Sequence, residues 1–213
     1  PTDQVTKRFV VRHGETEWNV ENRIQGHLDI GLSRRGLQQA EALSERLRCM
    51  NFDAFYSSDL ARAAQTAKAI GNTLGVEVVT DQRLRERNMG VLQGLTLDEA
   101  HVQHTDALNR LRSLDPEYII PKGESLRQLS DRTVACIEEL AQRHLGGLVL
   151  IAAHGGVLEC LMNHVLETPL DAPREFMSAN ASLNIYLCEA GEWSLETWGD
   201  ISHLQEIGTL DDA

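Results

Sequence analysis

The chain has 213 residues, 42% of them hydrophobic, which is enough for one domain with a full core. Its 32 acidic residues outnumber its 20 basic residues, and the resulting net charge of -12 disfavours binding to nucleic acids or anionic membranes. No run approaches the roughly 18 apolar residues of a transmembrane helix. The start, PTDQVTKRF, lacks the apolar stretch of a signal peptide, so we expect a cytoplasmic protein.

Short apolar strands alternate with amphipathic helices along the chain. In chain order, the predicted elements are a strand at 8–11, a helix at 33–49, a strand at 54–57, a helix at 59–74, a strand at 77–80, a helix at 125–144, a strand at 148–153, a helix at 157–166 and a hairpin of strands at 183–188 and 193–197. This alternation predicts an α/β fold, a three-layer sandwich whose mostly parallel central sheet is flanked by helices.

The segment at about 96–122 fits this alternation poorly. It contains a short helical stretch and then a loop, DPEYIIPKGES, with a proline near each end. We expect it to pass over one edge of the sheet as a lid, within a single domain that spans residues 1–213. The four cysteines are far apart and form no C-x-x-C pair, which indicates free, mostly buried thiols: Cys49, Cys136, Cys160 and Cys188.

Polar clusters follow four of the predicted strands. They are RHGET after Val11, SSD with Arg62 after the strand at 54–57, RLRER shortly after Val79, and HGG after Ala153. Ligands bind at the carboxyl ends of strands in such sheets, so we expect two histidines, two to four arginines and one glutamate to line one crevice.

This set of side chains suits a phosphate. Arginine presents a planar fork of donors, and glycines let main-chain N–H groups approach an anion, helped by helix N-termini expected after Gly14 and Gly156. A neutral imidazole is a competent nucleophile. Histidines also bind zinc, but His13 and His154 are flanked by glycine and lie among arginines that repel a divalent cation. We therefore expect no metal and no cofactor.

The run RHGETEWN at 12–19 resembles the signature of the histidine phosphatase superfamily, which includes the cofactor-dependent phosphoglycerate mutases. Further similar blocks follow in the family's order: NRIQGHLD at 22–29, LSRRG at 32–36, YSSDLARAAQTA at 56–67, LRER at 84–87, LQG at 92–94, GES at 123–125 and AHGG at 153–156. The resemblance implies a phosphoglycerate mutase-like fold and a metal-independent enzyme.

The resemblance also implies roles for individual residues. His13 would be the nucleophile that becomes phosphorylated, and Glu86 would be the proton donor and later the base. Three residues would hold the phosphoryl oxygens, namely Arg12, Arg62 and His154. Four more would line the pocket, namely Asn19, Gln25, Gly26 and Gly155. The two histidines, Arg12 and Arg62 would form a local positive site in a negatively charged protein. We expect three more arginines to contribute to it: Arg23, Arg85 and Arg87.

Members of this superfamily are either mutases or phosphatases. Resemblance to the mutases would imply a basic stretch after the glutamate motif, but here only about 28 residues separate Gly94 from Gly123, and acids are frequent among them. Asn88-Met89 and Gly155-Gly156 stand where mutases tend to carry His-Tyr and Gly-Asn. We therefore predict a phosphatase acting on a small phosphorylated metabolite. The alternatives are a phosphoglycerate mutase and a catalytically weak interaction module. The oligomeric state stays open, with a homodimer as one alternative.

Overall fold

The computed structural model describes residues 5–210. Residues 1–4 and 211–213 lie outside the described residues. The strands are β1 (Thr6–Arg12), β2 (Ala54–Ser57), β3 (Val78–Thr80), β4 (Leu148–Ala153), β5 (Leu183–Glu189) and β6 (Glu192–Asp200). The helices are α1 (Glu17–Val20), α2 (Arg34–Leu47), α3 (Ala61–Leu74), α4 (Leu97–Gln103), α5 (Thr105–Arg112), α6 (Leu126–Arg143) and α7 (Gly155–Val165).

The six strands form one sheet in the order β3-β2-β4-β1-β5-β6. The first four strands are parallel, whereas β5 is antiparallel to β1 and β6 is antiparallel to β5. The predicted fold class is therefore confirmed. Arg12 of β1 pairs with Ala153 of β4, and Ser57 of β2 pairs with Ala152. This register brings the carboxyl ends of three neighbouring strands to the same edge of the sheet.

Each face of the sheet is covered by helices. Alternate residues of a strand point to opposite faces. Val10 of β1 accordingly packs in a cluster with residues of α6 and α7, while Phe9 and Val11 pack in a second cluster with residues of α2 and α3. Each fully buried aliphatic side chain of these clusters contributes roughly 1.5–3 kcal/mol. The two clusters make the central strands rigid, so the loops that follow them have fixed starting points.

Side-chain caps fix the starts of several helices. The hydroxyl of Ser33 accepts a hydrogen bond from Gly36 N at the start of α2, and Ser125 forms a capping box with Gln128 at the start of α6. Thr16 and Asn19 form another capping box around α1, a four-residue helix that the sequence did not predict. One turn of helix is too short to show an apolar period, so periodicity could not reveal it.

The segment at 96–122 holds two helices, α4 and α5, where one was predicted. His104 separates them with a non-helical backbone, φ -141° and ψ 51°. The segment has its own small apolar cluster, which includes Ala100, Leu108 and Ile120. Whether it works as a lid stays a prediction.

Three of the four cysteines are buried, Cys49 is exposed and all four are free thiols, as expected. None of the helices between residues 5 and 210 combines the length and apolar character needed to cross a membrane.

Candidate active site

The two histidines predicted for the site lie side by side. His13 follows β1 and His154 follows β4, and because these strands are direct neighbours the two rings lie with their centroids 5.3 Å apart. Both side chains are buried, with 2% and 0% of their surface exposed. The structure therefore brings these two rings together, as the strand-end rule predicted.

The ring of His13 is held in one orientation. Its Nδ1 lies 2.7 Å from the carbonyl oxygen of Gly14. A carbonyl can only accept, so Nδ1 carries the proton and Nε2 carries the lone pair. Burial, followed by repulsion from Arg62 and Arg12, holds the pKa of His13 well below 6.5. The low pKa leaves the ring neutral at neutral pH, with its lone pair on Nε2.

The ring of His154 is held from the opposite nitrogen. Its Nε2 lies 2.8 Å from the hydroxyl oxygen of Ser58, which follows β2. Its Nδ1 is buried and has no hydrogen-bond partner among residues 5–210. Burial, followed by repulsion from Arg62 and His13, holds the pKa of His154 well below 6.5. Leaving a buried polar nitrogen without a partner costs about 1–3 kcal/mol, which a bound acceptor would recover.

Two buried guanidinium groups lie beside these rings. Arg12 is the last residue of β1 and donates to the carbonyl of Ser178. Arg62 lies in the first turn of α3 and donates to the carbonyls of Leu28 and Gly26, at 3.0 and 2.7 Å. The positive charges of Arg12 and Arg62 help to lower the pKa values of His13 and His154.

Glu86 reaches the same edge from the loop that follows β3. Its Oε2 accepts from Gly156 N at 3.1 Å, and its Oε1 accepts from Arg87 N at 2.8 Å. Helix α7 begins at Gly155, two residues earlier than predicted, with His154 as its N-cap. The first N–H groups of a helix have no partner within the helix, and here one of them binds the carboxylate of Glu86.

The helix N-termini expected after Gly14 and Gly156 are therefore placed differently. Gly156 lies inside the first turn of α7. After Gly14 the chain forms only the four-residue α1, which begins at Glu17. The helix start expected after Gly156 lies at Gly155 instead. The four-residue helix after Gly14 provides little helix dipole to act on an anion.

The residues predicted to line the pocket make contacts around the two arginines and His13. Gly26 contributes its carbonyl to Arg62, and Gln25 accepts from the hydroxyl of Thr16 at 2.8 Å. The amide oxygen of Asn19 accepts from the side-chain amide of Asn180, which also donates to the carbonyl of His13, both at 3.3 Å. Their roles in binding a substrate, and that of Gly155, stay predictions.

Two of the additional arginines expected in the positive site are paired with carboxylates. Arg85 binds both oxygens of Asp59, at 2.6 and 2.7 Å. Arg23 binds two glutamates, Glu21 at 2.6 Å and Glu99 at 2.8 Å. Arg87 donates instead to carbonyls, those of Glu124 and Tyr118. Arg62 and Arg12 are the arginines whose positive charges lower the pKa of His13.

Two contacts around His154 and Glu86 were not predicted from the sequence. Ser58 stood in a strand-end cluster but received no role, although its position directly after β2 was a usable signal. Arg132, on α6, contacts the main chain of Glu86 and carries no strand-end signal at all. Among residues 5–210, no group of three or more His, Cys, Asp or Glu side chains is arranged to hold a metal ion.

Comparison with known proteins supports the same family from sequence and from structure. The model of the histidine phosphatase superfamily (branch 1) matches residues 9–201. The phosphoglycerate mutase-like protein 4 of Arabidopsis thaliana is 40% identical over 205 residues, which cover 94% of this chain and 88% of that protein.

Solved structures share the fold over nearly their whole length. YhfR of Bacillus stearothermophilus superimposes with a TM-score of 0.87 at 33% identity, covering 94% of this chain and 100% of that chain. A mycobacterial glucosyl-3-phosphoglycerate phosphatase superimposes with a TM-score of 0.81 at 32% identity, covering 92% of this chain and 99% of that chain. One of these similar proteins is thus named mutase-like and another is named a phosphatase.

Proposed function

We propose that this chain, which belongs to the histidine phosphatase superfamily, hydrolyses phosphate monoesters of small metabolites through a phosphohistidine on His13, without a metal ion. The observation that carries the proposal is the hydrogen bond from His13 Nδ1 to the Gly14 carbonyl, 2.7 Å long. It leaves Nε2 unprotonated beside two buried guanidinium groups. A nucleophile would therefore lie next to the two positive charges that bind the phosphoryl dianion.

In the first step, Nε2 of His13 attacks phosphorus and the bond from phosphorus to the ester oxygen breaks. Glu86 gives its proton to the departing oxygen, so the product leaves as an alcohol. Nδ1 of His13 keeps its proton and its hydrogen bond to Gly14 throughout. The new P–N bond stores the phosphoryl group on the protein.

In the second step, water attacks the phosphohistidine. The carboxylate of Glu86 takes a proton from the water as its oxygen bonds to phosphorus, and the P–N bond breaks. Phosphate leaves, Nε2 recovers its lone pair and Glu86 is again protonated. Each group therefore returns to its starting state after one turnover.

Phosphoryl transfer depends mainly on positioning and on charge stabilisation. Arg12 and Arg62 would supply the charge. We assign the hydroxyl of Ser58 as the donor to His154 Nε2, so that His154 Nδ1 carries a proton. This buried N–H, without a partner between residues 5 and 210, would donate to a phosphoryl oxygen.

Two observations support phosphatase over mutase activity. The segment at 96–122 is short and acidic, with an acidic residue in the first turn of each of its helices. Arg23 and Arg85, which could otherwise bind a substrate carboxylate, are already paired with carboxylates of the chain. A mutase must also protect its phosphohistidine from water, which a short segment with few cations does poorly.

The experiment is hydrolysis of p-nitrophenyl phosphate in the presence of EDTA by the wild type and by His13→Ala. We expect turnover in the wild type and its loss in the variant. Conversion of 3- to 2-phosphoglycerate that depends on the bisphosphate cofactor, without comparable hydrolysis, would instead establish a mutase. Absence of any turnover, together with capture of a protein partner, would establish an interaction module.

A further inference from the structure

Arg132 of α6 lies behind the loop that carries Glu86. Its guanidinium group makes five hydrogen bonds, one for each of its five N–H groups. They run to the carbonyls of Arg83, Arg85 and Glu86, at 2.8, 2.7 and 2.9 Å, and to the two carboxylate oxygens of Glu124, at 2.6 and 3.3 Å. One planar group thus holds three carbonyls of a short loop.

The main chain of Glu86 is held from two directions. Its carbonyl accepts from Arg132 at 2.9 Å and from Nε2 of His27 at 2.7 Å. Its side chain is held separately, by the main-chain N–H groups of Gly156 and Arg87. The carboxyl group of Glu86 can therefore move little with respect to His154 and α7 while these contacts hold.

Glu124 couples Arg132 to the other side of the same loop. Its Oε1 accepts from Arg132 and also from Asn88 N, at 2.6 and 2.8 Å. Its own N–H donates to the carbonyl of Asn88 at 2.9 Å. The Arg132–Glu124 pair thus fixes the chain on both sides of Glu86, at Arg85 and at Asn88.

We propose that Arg132, oriented by Glu124, is the positioning residue of the proton donor Glu86. The inference rests on the proposed function, because it concerns the first step of that reaction. A general acid accelerates a reaction by about 10²–10⁴-fold only when it lies within hydrogen-bond reach of the leaving atom. Functional groups must be held to within about 0.5 Å for this purpose. Arg132 provides that constraint without touching the substrate.

Lysine cannot replace Arg132 in this arrangement. It keeps the positive charge but has three donors on a flexible stem, so it cannot reach three carbonyls and a carboxylate at once. Arg132→Lys therefore separates charge from geometry, and Arg132→Met removes both. Arg127 is the matched control, since it lies on the same helix and also pairs with a glutamate, Glu117, at 2.9 Å.

The readout is the dependence on leaving group. Phenyl phosphate and p-nitrophenyl phosphate have similar shapes, but phenolate is the more basic leaving group and needs the proton more. The kcat/KM ratio of p-nitrophenyl to phenyl phosphate therefore measures how well the acid works in the first step. Both substrates are measured on one preparation, so misfolded protein lowers both values and leaves the ratio unchanged.

We expect Glu86→Gln to raise this ratio by about tenfold or more, following the size of general acid catalysis. Arg132→Lys and Arg132→Met should raise it in the same direction, and Glu124→Gln should do so to a smaller extent. Arg127→Lys and Arg127→Met should keep the ratio of the wild type.

Other outcomes overturn specific statements. If Glu86→Gln raises the ratio and both Arg132 variants do not, the inference is wrong and the proposed function stands. If Glu86→Gln leaves the ratio unchanged, Glu86 is not the proton donor and the inference falls with that assignment. Hydrolysis that survives in His13→Ala would overturn the proposed function itself.

Discussion

The main-chain N–H of Gly156 donates to Oε2 of Glu86 at 3.1 Å, and a Cβ added to Gly156 would lie only 2.2 Å from Oε1 of the same carboxylate. The glycine thus supplies a donor and leaves the space that Glu86 occupies. This explains in physical terms why a second glycine follows His154.

Substitution of Gly156 by alanine should reduce activity without reducing stability. Gly156 lies in the first turn of α7, where alanine is favoured over glycine by roughly 0.5–1 kcal/mol. The added methyl group would displace the Glu86 carboxylate and break its hydrogen bond with Gly156 N. We expect kcat/KM for phenyl phosphate to fall at least about tenfold, as for a mispositioned general acid.

Urea unfolding of the Gly156→Ala variant serves as the control for that result. The free energy of unfolding should equal or exceed that of the wild type. Activity at the level of the wild type would show that Glu86 tolerates displacement, in conflict with its assigned role.

The two buried histidines should make stability depend on pH. The pKa values of His13 and His154 are both held well below 6.5 in the folded protein. In the unfolded chain each histidine binds a proton as the pH falls through about 6.5, so acid favours the unfolded state. Stability from this source is therefore complete above that pH. The free energy of unfolding should decrease as the pH falls below about 6.5, by up to about 1.4 kcal/mol per pH unit for each histidine.

Urea unfolding between about pH 5 and 8, in buffers without phosphate, measures this slope. Burial also lowers the pKa of three other histidines, namely His27, His144 and His203. The comparison of the wild type with His13→Gln and His154→Gln isolates the contribution of each residue. Identical slopes in all three proteins would contradict the burial of these rings as neutral groups.

Loss of the Ser58 hydroxyl should affect activity through His154. The hydrogen bond between His154 Nε2 and Ser58 Oγ, at 2.8 Å, keeps the ring oriented with Nδ1 available as a donor. A lost buried hydrogen bond costs about 1–3 kcal/mol, so Ser58→Ala should lower kcat/KM for p-nitrophenyl phosphate by about tenfold.

Ser44→Ala is the matched control for Ser58→Ala. Its hydroxyl is also buried and donates to the carbonyl of Ala40 within α2. The Ser44→Ala variant should retain activity, because this hydroxyl bonds only within its own helix. Equal effects of the two substitutions on kcat/KM would argue against a special role for Ser58.

The strand-end rule predicted those parts of the site that the sheet itself positions. His13 and His154 follow strands that pair directly, and Arg62 lies in the helix after a third neighbouring strand. A buried parallel sheet leaves little freedom at these positions. Sequence pattern and the resemblance to the superfamily therefore agreed on them.

Contacts that depend on long side chains could not be read from the sequence. Arg132 lies 46 positions after Glu86 and binds mainly carbonyls, which every residue carries. Arg23 and Arg85 were expected near the phosphate because of their charge, but the orientation of their side chains allows carboxylates to pair with them. Which group an arginine side chain binds depends on its rotamer and on distances in the folded protein. The periodicity of the sequence carries no information about either.

Trapping of the phosphorylated protein tests the central claim most directly. The wild type would be mixed with a ³²P-labelled aryl phosphate, quenched within milliseconds and analysed for protein-bound label at acidic and alkaline pH. We predict label that is lost in acid, is stable in alkali and maps to His13, and that is absent from His13→Ala. Label that survives acid, or that persists in His13→Ala, would contradict a phosphohistidine on His13.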